Sequence, residues 1–325
     1  MRIVEETHPY YKRPVYELTD IDDFQPSPDD DIRIYQIRIG DGMTLGFMVG
    51  CANSQASDVL RITLHGAKGG QPGFMFHRFT SSVMTRAPFL LFADPTLTLD
   101  ESNLLAWYAG TPKVNPDDWM ELITRKVMAA TSTVFPVFDG SSGGGFTAMR
   151  LATRFGRSVA VSLSGQTDIF RYYHKRWAEQ TIKTAFPGMT KAEVADSFVG
   201  RTRAIDLYTD PRWNRGNMLH LVQNIGDQDH VKNHMNLFLN EIAAEHSDYV
   251  ALDGRVTISR PYVGEKHIAT PLALWDAEVT MAIARLKDRF KDADLSEPET
   301  AFEQPTDWAI PDSVRDHRRR CMHEY

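Results

Sequence analysis

The stretch Thr133-Val-Phe-Pro-Val-Phe138-Asp-Gly140-Ser-Ser142-Gly-Gly-Gly145-Phe-Thr-Ala-Met-Arg-Leu-Ala152 decides the fold class. An apolar run of strand length leads into Gly-x-Ser-x-Gly, and a helix-forming run follows it. A sharp strand-to-helix turn of this kind forces its central residue, Ser142, into a strained backbone conformation. Small neighbours are needed because side chains there would strike the flanking strand and helix. The turn lifts the Ser142 hydroxyl off the sheet. It also places the next N–H, that of Gly143, at a helix N-terminus, where the dipole favours an anion. Gly143-Gly-Gly-Phe-Thr-Ala148 also fits a dinucleotide fingerprint, but the next strand ends at Leu163-Ser-Gly165 without the acid that would hold a ribose. A phosphate loop fails, because no Gly-Lys-Ser/Thr follows.

Outward from this turn, short apolar runs recur at Val59–Leu64, Pro88–Ala93, Ser158–Leu163 and Met218–Ile225. Such runs suit strands of a parallel sheet buried on both faces. Helical stretches separate them at 119–130, 146–155 and 231–246, and a last one spans 271–290. On the N-terminal side, Ile32–Ile39 alternates with period two, turns at Gly40-Asp-Gly42 and returns over 43–49 as a hairpin. The class read from this alternation is α/β: a mostly parallel sheet flanked by helices, with an antiparallel N-terminal edge. Residues 1–31 are acidic and Pro-containing and are expected to form a surface arm. Residues 32–290 are the main domain, and 164–217 are too long for one crossover, so a helical cap insertion is expected there. Residues 291–325 read as an extended tail, and its Arg318-Arg-Arg320 as a solvated basic run.

Composition excludes several functions. The 325 residues carry 36 Lys and Arg against 43 Asp and Glu, a net charge of −7. That balance opposes general nucleic-acid binding. No apolar run is long enough to span a bilayer, and the N-terminus lacks an apolar signal region. A cytoplasmic protein without membrane partners is expected. Cys51 and Cys321 cannot make a framework and are read as free thiols.

A serine hydroxyl becomes a useful nucleophile when a histidine takes its proton and an acid orients that histidine. Two downstream loops supply those types: Gly226-Asp-Gln-Asp229-His-Val231 after one strand, and Gly264-Glu-Lys-His267 after the next. The order Ser142, Asp229, His267, with the serine on a strand-to-helix elbow, resembles the α/β-hydrolase superfamily over roughly residues 32–290. The resemblance implies that Ser142 is the nucleophile and His267 the general base. It assigns Asp229, rather than Asp227, as the acid, because Gly226-x-x-Asp229-x-Val231 fits the acid-loop pattern better. It places the oxyanion hole at Gly143 and the turn of Gly66 and Ala67. The bareness of the elbow, with Gly143 directly after the serine and Gly145 beyond, departs from the common pattern.

Three further residues are candidates for substrate contact: His65 beside the oxyanion turn, and Arg201 and Arg203 in the insertion. The insertion is rich in aromatics and carries nine Lys or Arg against six Asp or Glu. His230 and His234 share a helix face, as metal-binding pairs do, but no acid lies between them, so packing histidines are expected and no metal or other cofactor. The expected function is hydrolysis of a carboxylic ester of a soluble polar molecule, a small-molecule or glycan ester, through an acyl-enzyme. Acyl transfer by the same triad, and a non-catalytic binding or assembly protein on this fold, stand as alternatives. The long arms add the expectation of a homo-oligomer.

Overall fold

The computed structural model describes residues 1–5, 7–26, 31–50, 57–69 and 73–295. Cys51, Cys321 and nearly all of the expected tail, Arg318-Arg-Arg320 included, lie outside the described residues. Eleven strands form one sheet among those described: β1 (Arg2–Glu5), β2 (Val15–Leu18), β3 (Arg33–Gly40), β4 (Met43–Gly50), β5 (Val59–Leu64), β6 (Phe89–Phe92), β7 (Phe135–Ser141), β8 (Val159–Leu163), β9 (Met218–Val222), β10 (Val250–Ala251) and β11 (Val256–Ser259). Their order is β1-β2-β3-β4-β6-β5-β7-β8-β9-β11-β10. From β6 through β11 the pairings are parallel. β3 and β4 form the expected antiparallel hairpin, with Ile37 opposite Leu45.

The central strands are buried on both faces, which explains their near-continuous apolar runs. Alternate residues serve opposite layers. Val137, Val159 and Val161 join Trp275, Val279, Ala282 and Leu286 of the long C-terminal helix. Phe138 and Ala160 face the other way, toward Phe146, Met149 and Phe155. The helices are α1 (Phe79–Thr85), α2 (Pro116–Thr131), α3 (Gly143–Ala152), α4 (Lys175–Ala185), α5 (Lys191–Ser197), α6 (Asp206–Thr209), α7 (Gln228–His230), α8 (Asn236–Glu241) and α9 (Leu272–Arg289). A π-helical turn, Val231–Met235, joins α7 to α8. Three of the helices, α4 to α6, occupy the insertion between β8 and β9. Thr190 and Glu193 cap α5 reciprocally, each side chain bonding the other's backbone N–H.

The N-terminal segment corrects the expectation of a surface arm. β2 pairs in parallel with β3, and β1 closes that edge against β2. Tyr11, Val15, Leu18 and Phe24 are buried. The acidic composition of 1–31 hid the short strand Val15-Tyr-Glu-Leu18, whose Val15 and Leu18 are buried on opposite faces of the sheet while Tyr16 and Glu17 stay half-buried.

Candidate active site

Ser142, His65, the two candidate aspartates and His267 each follow the C-terminal end of a parallel strand, where α/β sheets hold their ligands. Ser142 follows β7 and has φ 55° and ψ −122°, a conformation that a non-glycine residue keeps only when its surroundings dictate it. The dictating contacts are backbone ones. A Cβ on Gly140 would lie 2.3 Å from the carbonyl carbon of Gly144, and a Cβ on Gly144 would lie 2.2 Å from the carbonyl oxygen of Leu64. The elbow is bare because α3 packs directly on β5 and β7.

The turn after β5 lies against the serine. A Cβ on Gly66 would come within 2.8 Å of the Ser141 carbonyl oxygen and 3.3 Å of the Ser142 Cβ. Ala67, one residue on, is exposed. Gly143 opens α3, so its N–H belongs to the first turn, whose amides have no partner within the helix.

His65 is a structural residue here. Its Nδ1 donates to the Gly66 carbonyl (2.7 Å), and its Nε2 accepts from the Asp94 N–H (2.9 Å). Both ring nitrogens are thus committed, and burial drops the ring to about 3. The two arginines offered for substrate contact are likewise engaged. Arg201 donates Nε to the Ala109 carbonyl (3.0 Å) and Nη2 to that of Thr111 (2.8 Å). Burial, with Arg150 nearby, lowers its guanidinium to about 10. Arg203 pairs with Asp206 and Glu241, both at 2.7 Å. Buried guanidiniums require such partners, so these two hold the insertion to the body.

The aspartate that His267 meets is Asp227, not the expected Asp229. Asp229 lies in the first turn of α7 and is exposed. Asp227 is buried, two residues earlier, and caps α7: its Oδ1 accepts from the His230 N–H at 3.2 Å. Its Oδ2 accepts from His267 Nδ1 at 2.7 Å. Burial alone would raise this carboxyl. The His230 ring and backbone N–H beside it, with the hydrogen bond from His267, outweigh it and hold Asp227 well below the usual carboxylate range.

Asn224 joins the two loops. Its Nδ2 donates to the carbonyls of Gly264 (2.9 Å) and Lys266 (3.1 Å), and its Oδ1 accepts from the N–H groups of Gly226 and Val263, both at 3.1 Å. A Cβ on Gly226 would lie 2.1 Å from the Gly264 carbonyl oxygen. The loop bearing Asp227 and the loop bearing His267 are therefore packed face to face.

Two residues absent from the sequence-based set complete the site. Gln166, fully buried beyond β8, donates Nε2 to Ser142 Oγ (2.9 Å), and the same nitrogen lies 2.9 Å from His230 Nε2. Its Oε1 accepts from Trp107 Nε1 at 3.1 Å. His230 stacks on His267, with ring centroids 4.1 Å apart and planes 5° from parallel. Its Nδ1 is 3.0 Å from Asp227 Oδ2 but out of line for a hydrogen bond. Among the described residues, no hydrogen bond joins Ser142 directly to His267. Tyr172 and Tyr173 from the insertion stand beside both histidines, with ring centroids 6.5 Å from that of His267. Nothing in the sequence pattern marked Gln166. A capping aspartate three residues before His230 was a signal that could have favoured Asp227.

Ligating atoms of Asp227, His230 and His267 lie within 4.8 Å of one another, close enough for a metal ion to bridge. Ring nitrogens ligate along lone pairs in the ring plane, and two parallel stacked rings do not converge on one point. This arrangement fits a carboxylate serving a histidine better than it fits a metal centre. His234 is buried, its Nδ1 accepts from the Thr167 N–H, and it stands outside the Asp227–His230–His267 group.

No protein-family model matches the sequence, and no curated protein matches it. Solved structures do. The capsule O-acetyltransferase of Neisseria meningitidis serogroup A superposes with a TM-score of 0.50 at 15% identity, over 79% of this chain and 92% of that one. An S-formylglutathione hydrolase from Agrobacterium tumefaciens gives 0.51 at 11%, over 82% and 97%. A chain of the Glycosylation Associate Protein (Gap123) complex from Streptococcus agalactiae gives 0.52 at 12%, over 80% of this chain and 47% of that one. At such identities these neighbours speak to architecture. The mostly parallel sheet, the glycine elbow and the loops after β9 and β11 make this chain an α/β-hydrolase fold.

Proposed function

We propose that this protein is a serine-dependent acyl-transfer enzyme that hydrolyses a carboxylic ester of a soluble, polar molecule. The observation that carries the reading is the 2.7 Å bond from His267 Nδ1 to the buried Asp227 carboxylate, on the same sheet edge as a serine held at φ 55°. In this reading Ser142 Oγ attacks the ester carbonyl carbon and His267 Nε2 takes its proton. Asp227 fixes the Nδ1–H tautomer and faces the imidazolium that forms. The carbonyl oxygen, now an oxyanion, is held by the N–H groups of Gly143 and Ala67, each worth about 2.7–4 kcal/mol. The C–O bond to the alcohol breaks, His267 returns the proton to that alcohol, and Ser142 carries the acyl group. Water, deprotonated by His267, then releases the acid.

An alcohol in place of water would make the same site an O-acyltransferase. The likeness to a capsule O-acetyltransferase keeps this second reading in view. The test is labelling of the folded protein by a fluorophosphonate, with Ser142→Ala and His267→Ala alongside. Labelling of wild type that vanishes in both variants is the expected result. A folded wild type that stays unlabelled at millimolar probe removes the reading. A screen of aryl acetates and acetylated sugars, with and without acceptor alcohols, then separates hydrolysis from transfer.

A further inference from the structure

We propose that His230 is a positioning residue of this site. Its ring is the flat wall that holds His267 in line with Asp227. The inference rests on the reading of Ser142, Asp227 and His267 given above.

His230 is fully buried and sits at the join between α7 and the π-helical turn. π-turns recur at functional sites. Here the His230 ring, one residue before the π-turn, covers one face of His267, which is itself only part-buried and comes from a loop. A loop histidine hydrogen-bonded at Nδ1 alone can still swivel about that bond. A parallel ring 4.1 Å away blocks the swivel on that side. The wall is braced in turn: His234 lies behind it with centroids 4.8 Å apart, Tyr172 and Tyr173 meet its edge, and Gln166 meets its Nε2. Gln166 is fixed by Trp107 and bonds Ser142 Oγ. Nucleophile and base are thereby set in one frame although no hydrogen bond joins them directly.

The division of labour between two histidines on one carboxylate follows from their angles. His267 meets Asp227 Oδ2 in line, while His230 at 3.0 Å is out of line. The carboxylate thus directs His267, and His230 contributes its face. The proposal therefore distinguishes the ring of His230 from its nitrogens.

The experiment compares His230→Phe, His230→Asn and His230→Ala. The first keeps a flat ring, the second keeps a polar group only where the Nδ1 of the ring stood, facing Asp227, and the third keeps neither. One readout is the far-downfield proton resonance of a histidine Nδ1–H bonded to a carboxylate, assigned to His267 by its loss in His267→Gln. The other is kcat and KM for an aryl acetate. His230→Ala and His230→Asn are expected to lose or broaden the resonance and to lower kcat about 100-fold with KM little changed. His230→Phe is expected to keep the resonance and to recover kcat to within about threefold of wild type. Retention of resonance and kcat in a folded His230→Asn overturns the proposal, and so does a folded His230→Phe that behaves like Ala. Should Phe overfill the site and unfold it, the Asn arm still decides. The resonance does not depend on turnover. Normal resonance behaviour with an unlabelled Ser142 therefore rejects the enzymatic reading, not the positioning of His267.

Discussion

The two halves of the site are built by different means. The serine half is made of backbone: Gly140, Gly144 and Gly66 let β5, β7 and α3 approach so closely that Ser142 has one conformation. The acid–histidine half is made of side chains. Asn224 holds two loops together, Asp227 caps a helix, and His230 flanks His267. A backbone-built feature is written in consecutive residues, since glycines must stand where Cβ atoms would collide. A side-chain-built feature depends on residues some 40 positions apart and on which of two aspartates faces inward.

The sharpest way to break this comparison is Asp227→Asn beside Asp229→Asn. Loss of the orienting acid is expected to cost about 10⁴-fold in kcat, while the exposed neighbour changes activity less than about twofold. Equal losses, read by labelling rate, would return the acid to Asp229. Gly144→Ala probes the other half. Its new methyl meets backbone of Leu64 rather than a yielding side chain, so urea unfolding should show a loss of about 3–5 kcal/mol. Arg201→Ala should destabilise by about 2–4 kcal/mol, because the carbonyls of Ala109 and Thr111 lose their donor, while the KM of turnover stays put. A large rise in KM with unchanged stability would restore Arg201 to the binding surface.

The smallest expected effect is a slope. Burial raises Asp94 to about 6, against the lowering pull of the N–H groups of Tyr108 and Thr96. A carboxyl raised on folding contributes stability that is full below about pH 4 and lost as pH climbs through about 6. Wild type should therefore lose roughly 1–3 kcal/mol relative to Asp94→Asn between pH 4 and 7, whatever their offset. Parallel stability curves for the two proteins would place Asp94 in a wetter setting.

The same contrast explains what the sequence could and could not disclose. Parallel strands are legible as unbroken apolar runs, and Ser142 as the centre of a glycine cluster. The loop after β9 was located correctly but its inward aspartate was not, because that choice is made by the start of α7. Arg201 and Arg203 looked like anion contacts because charge is visible in a sequence and burial is not. Their carbonyl and carboxylate partners come from Ala109, Thr111, Asp206 and Glu241. Trp107 and Tyr108, both buried at φ 52°, are equally silent. Their left-handed backbone costs about 1–3 kcal/mol each and is kept by distant bonds. Arg150 donates to both carbonyls, and Asp94 accepts from the Tyr108 N–H.

Asn224 has a consequence for anyone who would rebuild this protein. One side chain satisfies four backbone groups drawn from both loops, and so the two loops are inherited as a single cassette. A chimera that takes the Asp227 loop from one parent and the His267 loop from another must carry a matching amide at this position. Without it, the graft would hold all of its chemistry and none of its alignment. Libraries that vary residues 224–230 and 262–268 together should yield working members far more often than libraries that vary either alone.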